Sequence, residues 1–303
     1  MKFNSQKAYL NQSKPFRFFL MRLHPRYWFL YFGMFIAYGL IQILPYKILI
    51  KIGKILGNLG FLFATRRRKI ALKNIEICFP EKSKKEQQDL VHQCFNYVGQ
   101  SFIEMLIAWW MPESRFKKIT FDLSSGMREK IQEQMDSGQG VILCGGHFTA
   151  LEMIGCEFGL RYKNLYLVYQ KHKDPVINYI INKGRLRYAK GLIERTDLKT
   201  MIKILRRGDF LWYAPDQDLG RHASVFVDFF NIPCATVRAL GSLIKAGRAA
   251  CFFSFFYRED ACKKSIYKIM ASKQEIIPTG DDLKDAEIYN QALEKIIRKS
   301  IQF

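Results

Sequence analysis

The stretch VILCGGHFTALEM, residues 141–153, decides the fold. VILCGG (141–146) reads as a short apolar strand punctuated by two glycines, and a helix is expected over roughly 149–161. A strand that passes within a few residues into a helix is the repeating unit of an α/β sheet. The same pattern recurs along the chain. NLYLVYQ (164–170), DFLWYAP (209–215), ACFFSFF (250–256) and SIYKIMA (265–271) read as further strands. Helices are expected at roughly 175–190, 197–206, 236–247 and 281–300. The strands are continuously apolar rather than alternating, so the chain predicts an α/β fold with a mostly parallel central sheet flanked by helices. Upstream, SKKE (83–86) is a capping box opening a long helix that Pro112 ends.

The N-terminal part differs. Residues 27–46, YWFLYFGMFIAYGLIQILPY, carry no charge, and about 20 apolar residues are what a helix needs to span a bilayer. A hydrophobic membrane-anchoring helix is expected there, preceded by Lys2, Lys7, Lys14, Arg17, Arg22 and Arg26. In KILIKIGKILGNLGFLFATRRRK (47–69), Lys47, Lys51 and Lys54 recur at helical spacing on one face, which predicts an amphipathic interfacial helix. The competing reading is a buried core helix with a solvated lysine face. The expected organisation is a basic N-terminal anchor with interfacial helices over 1–69 and one large domain over 70–303.

Lys+Arg number 48 against 27 Asp+Glu, a net charge of +21, so an anionic partner is expected: nucleic acid, an anionic membrane face, a phosphorylated substrate or an acidic carrier protein. The seven cysteines form no CxxC pair, which removes support for zinc or thioredoxin-type chemistry and suggests a reducing compartment. There is no P-loop, no GxGxxG after a strand, no GxSxG elbow and no HExxH. No metal or cofactor is specified.

His147 directly follows a strand, and in open α/β sheets chemistry gathers at the carboxyl ends of strands. If His147 sits in the turn before the helix and Glu152 in its second turn, Glu152 can accept a hydrogen bond from the ring and raise the basicity of the other nitrogen. The alternative from spacing alone is a capping histidine beside a solvated glutamate. Asp216 and Asp218 in APDQDLG (214–220) also follow a strand and suit a hydroxyl ligand, a metal or an Asx turn. Arg185 and Arg187 in GRLRYAKG (184–191) present forks suited to phosphate or carboxylate, with a solvated helix end as the alternative for Arg187.

Taken together and in order, LHPRYW (23–28), NIEICFPE (74–81), GGHFTALE (145–152), GRLR (184–187), DLKTMIKILRRGD (197–209), WYAPDQDLG (212–220) and SVFVDFF (224–230) resemble the late acyltransferases of lipid A biosynthesis, nearest the lauroyl-transferase type, within the glycerolipid acyltransferase superfamily. The resemblance implies that 70–303 is an acyltransferase domain facing the cytoplasm at a bacterial inner membrane. It implies transfer of a fatty acyl group from acyl carrier protein to a hydroxyl on a 3-hydroxyacyl chain of a Kdo-bearing lipid A precursor, with no cofactor and no nucleic acid involved. His147 and Glu152 match the family's catalytic motif. Arg185 and Asp216 match two further functional positions, and Arg187 and Asp218 lie beside them as substrate-binding candidates. The family pattern also implies an aromatic- and basic-rich tail after the last helix, which a sequence ending IIRKSIQF does not show. The competing functions are a glycerolipid acyltransferase of phosphatidic-acid type and, in another class, a basic nucleic-acid-binding protein.

Overall fold

The computed structural model describes residues 22–123, 126–259, 266–272 and 275–300. The basic residues Lys2, Lys7, Lys14 and Arg17, and Cys262, lie outside the described residues. The six described cysteines are free thiols.

Nine strands are assigned among the described residues: β1 (Thr120–Leu123), β2 (Val141–Cys144), β3 (Leu165–Tyr169), β4 (Gly191–Glu194), β5 (Phe210–Tyr213), β6 (Ser224–Phe229), β7 (Ile232–Val237), β8 (Ala250–Glu259) and β9 (Ile266–Ala271). Seven of them form one sheet in the order β1-β9-β8-β2-β5-β3-β4. The β8–β2–β5–β3–β4 portion is parallel throughout. β9 runs antiparallel to β8, and β1 runs parallel to β9. The expected mostly parallel sheet is therefore present, with one antiparallel join towards an edge.

The alternation of β2 explains its unbroken apolar run. Val141 and Leu143 enter one hydrophobic cluster and Ile142 and Cys144 the other, so side chains of opposite parity serve the two faces. Helices cover both: α4 (Lys84–Trp110) and α7 (Leu151–Arg161) on the first, α9 (Leu198–Leu205), α10 (Ala239–Gly247) and α11 (Asp282–Ser300) on the second. The remaining helices are α1 (Trp28–Ile43), α2 (Tyr46–Phe63), α3 (Thr65–Cys78), α5 (Glu113–Phe116), α6 (Met127–Asp136) and α8 (Pro175–Arg185). The expected capping box opens α4: Ser83 Oγ accepts from the Glu86 amide at 3.3 Å, and the Glu86 carboxylate accepts from the Ser83 amide at 2.8 Å.

β6 and β7 were not expected as a hairpin. They form a separate antiparallel pair joined by Phe230 and Asn231, both at positive φ (52° and 59°). That two-residue turn matches the right-handed twist of the strands without glycine, so its usual sequence signal is missing.

The N-terminal helices do not show the expected spanning anchor as a single helix. The charge-free run stops being helical at Leu44, which is extended (φ −76°, ψ 142°) because Pro45 follows it. Helix α1 thus has 16 residues, about 24 Å, against a hydrocarbon core of about 30 Å. Among the described residues no single helix is long and apolar enough to cross a membrane. The continuous helix expected over 47–69 is also broken. α2 and α3 meet the length and composition test only as a pair, and they are bent by 94° at their junction.

Nor is α1 a core helix. Phe29, Phe32, Phe35 and Ile43 are largely exposed, Phe29 at 89%, whereas Ile41 is buried. α1 is fastened by Arg115, whose guanidinium donates to the carbonyls of Ile41, Gln42 and Leu44, and by Gln42 Nε2, which donates to the Trp110 carbonyl at 2.8 Å. Those bonds satisfy the open carbonyls of a helix end. Deeper, Arg258 on β8 donates to Glu104 on α4 at 2.8 Å, and Tyr267 on β9 donates to the same carboxylate oxygen. Tyr267 also meets Tyr46 of α2 at 2.5 Å, so a buried polar network ties the antiparallel edge to the N-terminal helices.

Candidate active site

β2 and β5 are neighbours in parallel register, with Cys144 opposite Tyr213. Each strand delivers a polar residue three positions past its end, His147 from β2 and Asp216 from β5. The two therefore meet above the carboxyl edge of the sheet. His147 Nδ1 lies 2.5 Å from Asp216 Oδ1, and the His147 amide donates to Oδ2 of the same carboxylate at 2.7 Å. A carboxylate only accepts, so Nδ1 carries a proton and Nε2 is the ring atom left to face a ligand. Nε2 has no protein partner among the described residues. The approach is close because Gly146 has no side chain; a Cβ there would stand 3.3 Å from Asp216 Oδ2. Trp212 packs edge-on against the imidazole, with ring centroids 6.1 Å apart.

Glu152 is the residue whose expected partner is corrected. It is buried in the first turn of α7, and no hydrogen bond joins it to His147. Its Oε1 accepts from Arg185 Nε at 2.8 Å and Nη2 at 2.5 Å; its Oε2 accepts from Tyr188 Oη at 2.6 Å and Trp109 Nε1 at 3.1 Å. Four donors saturate a buried carboxylate, so it has no need of the imidazole. Burial lowers the Arg185 guanidinium's affinity for its proton, but the Glu152 charge beside it prevails, and the pKa is raised. Burial first, and then the same charge, push the Tyr188 phenol well above its ordinary range, which keeps it a donor.

Arg187 and Asp218 do not reach this centre. Arg187 donates to the carbonyls of Ala108 and Met111 and so finishes the end of α4. Asp218 Oδ1 accepts from the Gly220 amide at 2.7 Å, an Asx turn whose glycine sits at φ +88°. Among the described residues there is no group of three or more side chains able to hold a metal ion.

A cavity of about 290 Å³ opens beside His147. Its lining is part polar, with the exposed Gln170, His172 and Gln217 and the half-buried Arg195, and part apolar, with Leu151, Gly155, Leu167 and Ile181; Arg185 and Tyr188 also line it. Pockets near this size with few polar groups are typical ligand sites. Sequence reasoning missed Trp109, Tyr188 and Arg195. Tyr188 carried a signal, lying one turn from Arg185 at the end of the same helical segment; Trp109 and Arg195 come from distant elements and carried none. Cys144, close in sequence to His147, is no nucleophile: burial pushes its thiol well above the usual value. The arrangement suits proton abstraction by an oriented base beside a partly apolar cavity, with a cation in the wall.

A sequence model of the bacterial lipid A biosynthesis acyltransferases matches residues 17–302. The chain is 35% identical over 275 residues to the lipid A biosynthesis lauroyltransferase of Escherichia coli (strain K12), covering 91% of this chain and 88% of that protein. It is 33% identical to the palmitoleoyltransferase of the same strain over 92% of this chain and 89% of that protein. Similarity to the myristoyltransferase of that strain, also 33%, covers 75% of this chain and 69% of the relative. A cavity of mixed polar and apolar lining beside an oriented imidazole, carried on a sequence related over most of its length to these enzymes, makes the chain an acyltransferase, and it belongs to the bacterial lipid A biosynthesis acyltransferase family.

Proposed function

We propose that the enzyme moves a fatty acyl group, lauroyl or similar in length, from acyl carrier protein to the hydroxyl of a 3-hydroxyacyl chain on a Kdo-bearing lipid A precursor. The observation that carries this reading is the His147–Asp216 pair beside a cavity of part polar, part apolar lining. The acceptor oxygen attacks the thioester carbonyl. A C–O bond forms and the C–S bond breaks; the hydroxyl proton passes to His147 Nε2 and then to the departing sulfur, leaving an ester and a thiol. A thioester is already activated, so no covalent enzyme intermediate is needed. Asp216 holds the base. Glu152 acts one step away, by fixing Arg185 in the cavity wall, where the Nη1 group has no protein partner among the described residues and suits the developing oxyanion.

The site of action in this reading is the cytoplasmic face of the inner membrane, with the protein lying on the bilayer. The exposed apolar faces of α1 and α2 and the cations Lys47, Lys51, Lys54, Arg66, Arg67 and Lys69 support it. Such a surface combines burial in the acyl boundary with attraction to anionic lipid. The same positive excess suits an acidic carrier protein and a phosphorylated acceptor.

His147→Ala tests the reading. Transfer from acyl carrier protein to the precursor is expected to fall by about 10²–10⁴, the usual worth of a general base. Sedimentation with anionic vesicles should stay at the wild-type level. Transfer at the wild-type rate by this variant would overturn the mechanism.

A further inference from the structure

Leu151, Gly155 and Gly159 stand four residues apart on α7 and so form one stripe of the helix. α7 starts at the catalytic edge, and each step along the stripe descends about 6 Å into the fold. Leu151 and Gly155 both line the cavity, one helical turn apart. At Gly159 the space is closed, because a Cβ there would stand 2.2 Å from the Tyr188 carbonyl oxygen. Gly155 and Tyr188 line the cavity and Gly159 does not, so Tyr188 is the wall met where the stripe leaves it.

That wall is stiff. The Tyr188 hydroxyl is held by Glu152 at 2.6 Å, and its ring is buried. A Cβ on Gly155 would stand 3.2 Å from Tyr188 Cε2 and 3.4 Å from its hydroxyl oxygen, so a methyl group fits with a shift of a few tenths of an ångström. Anything larger must grow into the slot. Leu167 and Ile181, both apolar, line the same cavity. Gln170, His172 and Gln217 of the lining are exposed and offer polar groups where a thioester and an alcohol have to meet His147. An alkyl chain matches the apolar lining.

We propose that Gly155 sets the longest acyl chain the enzyme accepts: the side chain it lacks is the room occupied by the terminal methylenes of the donor. This rests on the acyl-transfer reading of the cavity. It adds a specificity determinant on α7, away from the reacting atoms.

The test measures kcat/KM for Gly155→Ala and Gly155→Leu with decanoyl, dodecanoyl, tetradecanoyl and hexadecanoyl carrier-protein thioesters, beside the wild type and His147→Ala. The preferred length is expected to shift downwards, further for leucine than for alanine. The longest chain used by the wild type should lose roughly tenfold or more relative to shorter ones, the discrimination an apolar pocket achieves per methylene. Ile181→Ala, which removes apolar lining from the same cavity, should shift the preference upwards. Alanine improves helix propensity over glycine, so the alanine variant keeps the test valid if leucine fails to fold. Unchanged length ratios, or an equal loss for every donor in an alanine variant that melts like the wild type, overturn the proposal. Full transfer by His147→Ala would instead overturn the reading of the site. An inactive His147→Ala with unaltered ratios at Gly155 would sink the chain-length inference alone.

Discussion

Two carboxylates flank the cavity, and they are used in opposite ways. Glu152 is enclosed and accepts four hydrogen bonds, from a guanidinium, a phenol and an indole. Asp216, nearly as well covered, gives both its oxygens to one residue, the backbone amide and ring of His147. Glu152 binds α4, α7 and the end of α8 into one wall, whereas Asp216 determines the tautomer of a base. The contrast teaches that an acidic residue at a catalytic spacing is assigned by what it touches. The acid with four donors is a tie between elements, and the acid with one partner is an orienter of that partner.

Substitutions can separate the two roles. The largest expected effect is on Asp216→Asn. An amide can donate to Nδ1 and favour the wrong tautomer, so turnover should fall by up to about 10⁴-fold, while the thermal midpoint stays near that of the wild type. A fall in both together would mean that Asp216, too, serves mainly as a structural group. Next is Arg185→Ala. Removing one partner of a buried ion pair strands the other charge, and a loss of about 3–5 kcal/mol is expected by urea unfolding. A stability change within about 0.5 kcal/mol would dissolve the distinction between the two acids. The smallest is Tyr188→Phe, which removes one donor to a charged acceptor and should lower stability by about 1.5–3 kcal/mol. Its kcat should fall far less than that of Asp216→Asn.

The central sheet was legible because buried parallel strands write themselves as unbroken apolar runs. VILC, FLWY and the first half of β8 needed only that rule. Short edge strands such as β1 and β4 have too few apolar residues to stand out, and the β6–β7 turn uses phenylalanine and asparagine where glycine would have flagged it. At the N-terminus the absence of charge was a poor measure of helix length. Pro45 divides the run, and the bend at Ala64 divides the next one.

His147, Glu152, Arg185 and Asp216 were all marked as site residues by sequence, but the pairing was not. A five-residue separation is visible along the chain. The contact between residues 147 and 216 depends on β2 lying next to β5, and strand order is not written in any single segment. Given that order, the matching positions of His147 and Asp216, each three residues past its strand, would have been enough.

The two-point grip of Asp216 on His147 has a kinetic consequence. Because a single acid holds both the main chain and the imidazole, the loop cannot drift without carrying the ring, and the ring cannot swing without leaving its tether. The rotational freedom a catalyst must otherwise surrender in each encounter is removed once, when the polypeptide folds. Whatever meets this edge of the sheet meets an imidazole whose direction is already set.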